Sequence, residues 1–141
     1  YGSQPQSIKS MAHIGETHVD EQFAVLFGYE GGKIASLSGA VRTRLVNDAL
    51  IMGTDGMIHI PDFFCAKTAT LYSSSGGKEV FGPKFDGNGY NYEAAEAMRC
   101  LREGRPESSI MPLDETLAIM RTMDAIRAQW GLKYPGEDEV R

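Results

Sequence analysis

Three glycine-bearing turns, set between runs of branched and aromatic residues, constrain the fold of this chain more than any other feature. Gly31-Gly32 separates residues 19–30 from residues 33–44. Asp55-Gly56 separates Ala49-Leu50-Ile51-Met52 from Met57-Ile58-His59-Ile60, and Gly76-Gly77 separates residues 68–73 from 78–81. Such pairs signal hairpins, because the turns that match strand twist need positive φ at their central residues. Parallel neighbours would instead require crossovers of a dozen or more residues. Tight turns in succession therefore predict a meander of antiparallel strands over the first two-thirds of the chain.

These strands carry little charge. Ile34, Leu37 and Val41 mix with Ala35, Ser36, Ser38, Gly39 and Ala40, and neither Leu50-Ile51-Met52 nor Ile58-His59-Ile60 offers a charged outer face. An antiparallel sheet with one wet face alternates apolar and polar residues cleanly. The departure from that pattern predicts that both faces are covered, one by helices and the other by a second subunit. The alternative is a face of Ser and Thr that tolerates water.

After Pro83 the period changes from two to that of a helix. Ala94, Ala95, Met98 and Leu101 recur at helical spacing within residues 92–103, and Gly104 supplies a stop. A second helix is expected from about Asp114, whose carboxylate can cap free N–H groups just after Pro112. Its apolar stripe is Ile119, Met123, Ile126 and Trp130, and Gly131 ends it. Neither helix can hide its stripe alone, so both should pack on the sheet. The expected class is α+β: a mainly antiparallel open sheet with helices packed on one face and the other face available for dimerisation. One domain is expected over residues 1–135, with 136–141 a loose acidic tail.

Composition excludes several functions. With 42% hydrophobic and 23% charged residues in 141, the chain is neither disordered nor fibrous. A formal charge of −5 opposes non-specific nucleic-acid binding, which needs cations to displace phosphate counterions. No apolar run reaches the roughly 20 residues of a membrane-spanning helix. Only two cysteines, Cys65 and Cys100, are present, which fits a reducing cytoplasm. The chain begins at Tyr1 without an initiator methionine, so a piece of a longer protein is expected.

Common catalytic motifs are missing. Gly87-Asn88-Gly89 opens like a dinucleotide loop, but Tyr92 stands where the third glycine belongs and no βαβ unit surrounds it. Neither a phosphate-binding GxxxxGK[ST] nor a CxxC occurs. His13, Glu16, His18 and Asp20 offer metal-ligand chemistry, yet an extended strand would place His13 and His18 on opposite faces unless Gly15 breaks it. No metal is expected. The stretch from Phe81 through Gly82, Gly87, Asn88 and Gly89 to Tyr90 has the aromatic, amide and glycine content of a pocket wall. A plain connection with aromatics tucked inward has the same composition.

Residues 87–94, 100–104, 111–113, 123–127 and 131–135 together resemble the C-terminal domain of the glucose-fructose oxidoreductase / inositol dehydrogenase family. Within that family the chain is most similar to the trans-1,2-dihydrodiol dehydrogenase and xylose dehydrogenase-like branch. The residues that carry the likeness are Gly87-Asn88-Gly89-Tyr90-Asn91-Tyr92-Glu93-Ala94, Cys100-Leu101-Arg102-Glu103-Gly104, Met111-Pro112-Leu113, Met123-Asp124-Ala125-Ile126-Arg127 and Gly131-Leu132-Lys133-Tyr134-Pro135. Gly15-Glu16-Thr17 and Ile51-Met52-Gly53-Thr54-Asp55-Gly56-Met57 extend it over nearly the whole chain.

The resemblance implies a two-domain enzyme. An N-terminal Rossmann domain would bind NAD or NADP and supply a catalytic lysine in a Glu-Lys-Pro motif, which this chain lacks. The C-terminal domain would close the site on a sugar or cyclic diol and form a homodimer through its sheet face, in the cytoplasm, with neither nucleic acid nor membrane as partner. By the same resemblance this chain holds no catalytic and no cofactor-binding residue and is inactive alone. Carried over by motif, Phe85 would contact substrate, Asn88 and Tyr90 would orient it, and His13 would add a polar side chain. Phe64, with Phe63, would line the same cavity, while Glu93, Ser108, Pro112 and Asp124 would be structural. The competing expectation is a free-standing, non-catalytic interaction module of the same fold.

Overall fold

The computed structural model describes residues 4–82, 84 and 86–137. Among the described residues there are seven strands and two helices in α+β arrangement, and every strand pairing there is antiparallel. The strands are β1 (Ser7–Ile14), β2 (Asp20–Gly28), β3 (Ile34–Ala40), β4 (Ala49–Gly53), β5 (Gly56–Ile60), β6 (Ala69–Ser73) and β7 (Lys78–Phe81). The helices are α1 (Tyr90–Arg102) and α2 (Leu113–Trp130). The expected meander is interrupted: β1-β2-β3 make one sheet and β4-β5-β6-β7 another. The break falls where β3, expected to run to Arg44, stops at Ala40. Beyond it the Val41 N–H donates to the Glu21 carbonyl at 2.9 Å, and Arg42 reaches the Glu21 carboxylate at 3.3 Å, so the chain is tied to the end of β2 instead of continuing the ladder.

The chain divides into two compact units, and the first is discontinuous. It takes Tyr1–Leu45 together with Ser109–Arg141, while the second is the uninterrupted stretch Val46–Ser108.

In the first unit, cross-strand registry fixes which residues share a face. Ile8, Phe27 and Ala35 form one row, Ser10, Val25 and Leu37 the next alternate row, and Ala12, Phe23 and Gly39 the third. Helix α2 lies against this face. Phe23 meets Trp130 with ring centroids 5.7 Å apart, Ser10 Oγ donates to Gln129 at 2.8 Å, and the Gln129 amide donates to the Ile8 carbonyl at 3.0 Å. Val25, only 3% exposed, is the centre of the core. A Cβ at Gly39 would collide with the Phe23 ring, so this row needs glycine. The opposite face carries Met11, Leu26 and Ile34, all exposed, with Ser36 and Ser38 between them.

The stripe expected on α2 is rotated. The half-covered positions are Ala118, Thr122, Ile126 and Trp130, whereas Ile119 and Met123 are exposed. Its start also differs: Pro112 occupies the N-cap with no side-chain cap, and Asp114 sits in the first turn as a charge favourable to the helix dipole. The end follows expectation. Gly131 adopts φ +66°, and the Leu132 N–H reaches back to the Arg127 carbonyl at 3.1 Å. Just past it Glu137, in the stretch expected to be loose, accepts from Arg127 at 2.7 Å.

The turns of the second unit behave as their residues dictate. Gly76 has φ +89°, and at Gly56 a Cβ would run into the Tyr72 carbonyl of the neighbouring strand. Helix α1 turns inward the side opposite to the one expected. Cys100 is buried and Glu96 half-buried, while Ala94, Ala95, Met98 and Leu101 are exposed. The reason is electrostatic. Glu96 accepts from Ser108 Oγ at 2.6 Å, from Arg99 at 2.8 Å and from Cys100 Sγ at 3.4 Å. Those partners hold the Glu96 carboxyl down at about 2, Ser108 contributing most and Arg99 next.

Candidate functional site

An open pocket of about 390 Å³ lies in the second unit. It is lined by Asn47, Pro61, Asp62, Phe64, Cys65, Lys67 and Thr68. Two connections build it: the strap before β4, and the turn that carries the chain from β5 to β6. In that turn Phe63–Cys65 forms a single 3₁₀ turn, entered through Asp62 at φ +45°. The rings of Phe63 and Phe64 stack with centroids 4.3 Å apart, so Phe63 backs the wall that Phe64 presents. An aromatic wall, an amide, a carboxylate, an ammonium group and a hydroxyl suit a small hydroxylated ligand, whose ring can lie on Phe64 while its hydroxyls find donors and acceptors.

The expected binding residues do not all gather there. Phe64 lines the pocket and is highly exposed. Asn88 and Tyr90 lie in the same unit but are not among its lining residues. Their loop nevertheless leaves from the pocket's edge, since Gly82 is positioned so that a Cβ would touch the Thr68 methyl at 3.4 Å and the Lys67 carbonyl at 3.6 Å. Asn88 Oδ1 accepts from the Tyr90 N–H at 3.3 Å, and Tyr90 is the exposed first residue of α1. Phe85 lies outside the described residues. His13 belongs to the first unit, on the exposed face of β1, 4.0 Å from Glu21, and beside a β-bulge at His13/Ile14. Among the described residues no three His, Cys, Asp or Glu side chains gather as a metal set.

The Gly87-Asn88-Gly89 segment does not have the build of a dinucleotide cradle. The Gly89 N–H is taken by Asn91 Oδ1 at 3.2 Å and the Tyr90 N–H by Asn88 Oδ1 at 3.3 Å, so two N–H groups at the start of α1 are capped by neighbouring amides.

Sequence reading missed one pair at this site. His59 Nε2 lies 2.6 Å from Asp48 Oδ2, and Asp48 Oδ1 accepts the Asp62 N–H at 3.3 Å. The signal was a lone histidine inside the apolar run Met57-Ile58-His59-Ile60. Its partner is eleven residues upstream and is visible only once the β4–β5 hairpin sets the register Leu50↔His59. The His59 hydrogen bond is the main reason the Asp48 carboxyl sits below its ordinary value, with the Asp62 N–H assisting against partial desolvation.

The chain belongs to the glucose-fructose oxidoreductase / inositol dehydrogenase family, whose members it matches as a C-terminal domain. It is 34% identical to trans-1,2-dihydrobenzene-1,2-diol dehydrogenase of Xenopus laevis, across 95% of this chain and 42% of that protein. The enzyme of the same name from Danio rerio is 31% identical across 98% of the chain and 43% of its own length. The chain therefore spans less than half of the relatives it matches, in their C-terminal part. Among solved structures, UDP-N-acetylglucosamine 3-dehydrogenase from Acidithiobacillus ferrooxidans shares the fold with a TM-score of 0.62. It is 14% identical, and the match covers 74% of this chain and 34% of that one. No protein-family model matches the chain.

Proposed function

We propose that this chain is the substrate-binding and oligomerisation domain of an NAD(P)-dependent oxidoreductase acting on a sugar or a cyclic diol. The observation that carries this reading is the 34% identity with a diol dehydrogenase across 95% of the chain. Nicotinamide binding and hydride transfer in this reading belong to the remaining part of the full-length protein. Within the chain, the Phe64 pocket supplies an aromatic wall and polar edges to the substrate. The exposed face of β1–β3, with Met11, Leu26 and Ile34, is the dimer surface in this reading.

The test is oxidation of a panel of aldoses and trans-diols by the full-length protein, followed as nicotinamide reduction. Phe64→Ala and Phe85→Ala should raise KM for the accepted substrate, with the isolated chain inactive. A full-length protein that reduces neither nicotinamide cofactor with any member of the panel would defeat the proposal.

A further inference from the structure

Two side chains that do not line the pocket, His59 and Asp48, are hydrogen-bonded in series, as a clasp, to Asp62, which does. Asp62 occupies the left-handed region at φ +45°, a conformation that a non-glycine residue keeps where its surroundings impose it. Two hydrogen bonds impose it here. The Asp62 N–H donates to Asp48 Oδ1 at 3.3 Å, and the Asp62 carbonyl accepts from the Cys65 N–H at 2.8 Å. A third bond joins the two pocket-building segments, from the Phe63 N–H to the Asn47 carbonyl at 2.9 Å. Asp48 is thus the junction, and His59 fixes its other oxygen at 2.6 Å. Both side chains are about 30% exposed, shielded enough for the bond to matter.

We infer that Asp48 and His59 are a positioning pair that sets the pocket walls for a hydroxylated ligand, by holding Asp62 left-handed and Asn47 beside it. An ionised Asp48 can only accept, so His59 carries its proton on Nε2. With Asp48 held, the carboxylate of Asp62 and the amide of Asn47 keep a fixed spacing, which is what discrimination between neighbouring hydroxyls requires. The hydroxylated character of the ligand rests on the substrate-binding reading above; the clasp itself does not.

Cys65 provides the readout, because it lines the pocket and is exposed while Cys100 is buried. In the 141-residue chain at pH 7, Asp48→Ala and His59→Leu should speed alkylation of Cys65 by iodoacetamide about two- to tenfold, the factor one net hydrogen bond allows. His59→Gln, which keeps a donor, should restore a near wild-type rate. In the unaltered protein, ¹⁵N spectra of the imidazole should show Nε2 protonated at neutral pH, a measurement that needs no variant to fold. Unchanged alkylation in both variants, or a bare Nε2, overturns the clasp. Protection of wild-type Cys65 by D-xylose or trans-cyclohexane-1,2-diol supports the whole proposal. A clasp confirmed by the variants with no protection by either compound leaves the pair standing and refutes the substrate reading instead.

Discussion

Truncating Val25 to alanine tests which face of the first sheet is the inside. Val25 sits on the central strand, between Ser10 and Leu37, on the face that α2 covers, and it is only 3% exposed. The change removes two methyl groups, worth about 1.6 kcal/mol of transfer at roughly 0.8 kcal/mol per buried carbon. The remaining cavity raises the cost to about 2–3 kcal/mol, since neighbouring strands relax only in part. Leu26, one residue along and 52% exposed, points the other way, and Leu26→Ala should cost about 1 kcal/mol or less in dilute solution despite removing more carbon. Trp130 makes the assay specific. It is the only tryptophan of the chain and it stacks near Phe23 on that face, so its fluorescence reports the unit that contains both positions. In urea the Val25→Ala midpoint should fall by about 1–2 M, and the Leu26→Ala midpoint by well under half of that. Equal shifts, or the larger one at Leu26, would refute the facing assignment and with it the rotated stripe on α2.

Two further outcomes follow from the same structure. The Glu96 carboxyl is held at about 2 against 4.5 when free, so folding binds fewer protons there than unfolding does. Its stabilisation is complete above pH 4.5 and drains away as pH falls from 4.5 towards 2; acid titration of stability should show that slope, and Glu96→Gln should flatten it. If the exposed face of β1–β3 is a dimer surface, a charge on Met11, which is 72% exposed, should disperse it. Sedimentation should then find wild type self-associated and Met11→Lys monomeric with an unchanged circular dichroism spectrum; a wild-type monomer at high concentration would remove the dimer.

Local chemistry was the legible part of the sequence. Gly31 and Gly32 both take φ +75°, and Gly104 and Gly131 end their helices, because these positions ask for a conformation that few other residues adopt. The sheet boundary was not legible. Val41 and Val46 look like strand residues, and only the hydrogen bond from Val41 to Glu21 and the ion pair of Arg42 show that the ladder ends there. Helix α1 misled for a different reason. Its alanines and Met98 mark an apolar stripe by periodicity, yet Glu96 gathers Ser108, Arg99 and Cys100 to itself and turns the other side inward. At the site, Phe64 was named only through the family resemblance, as a ring lining a cavity, and no local pattern pointed to the 3₁₀ turn that carries it. The Asp48–His59 clasp was not legible either, since it depends on cross-strand register and on a left-handed aspartate that composition does not announce.

The discontinuity of the first unit has a consequence for biogenesis. Residues 46–108 form their unit from an unbroken stretch, so a ribosome has delivered every part of it once Ser108 has emerged. Strands β1–β3 are made earlier, but the helix that shields Val25 is made only after the whole of the second unit. The N-terminal hairpins must therefore wait, half-finished and with one greasy side bare, through about seventy further peptide bonds before α2 arrives. Trp130 is the last residue of that helix, which makes its signal the natural timestamp for completion of the first unit.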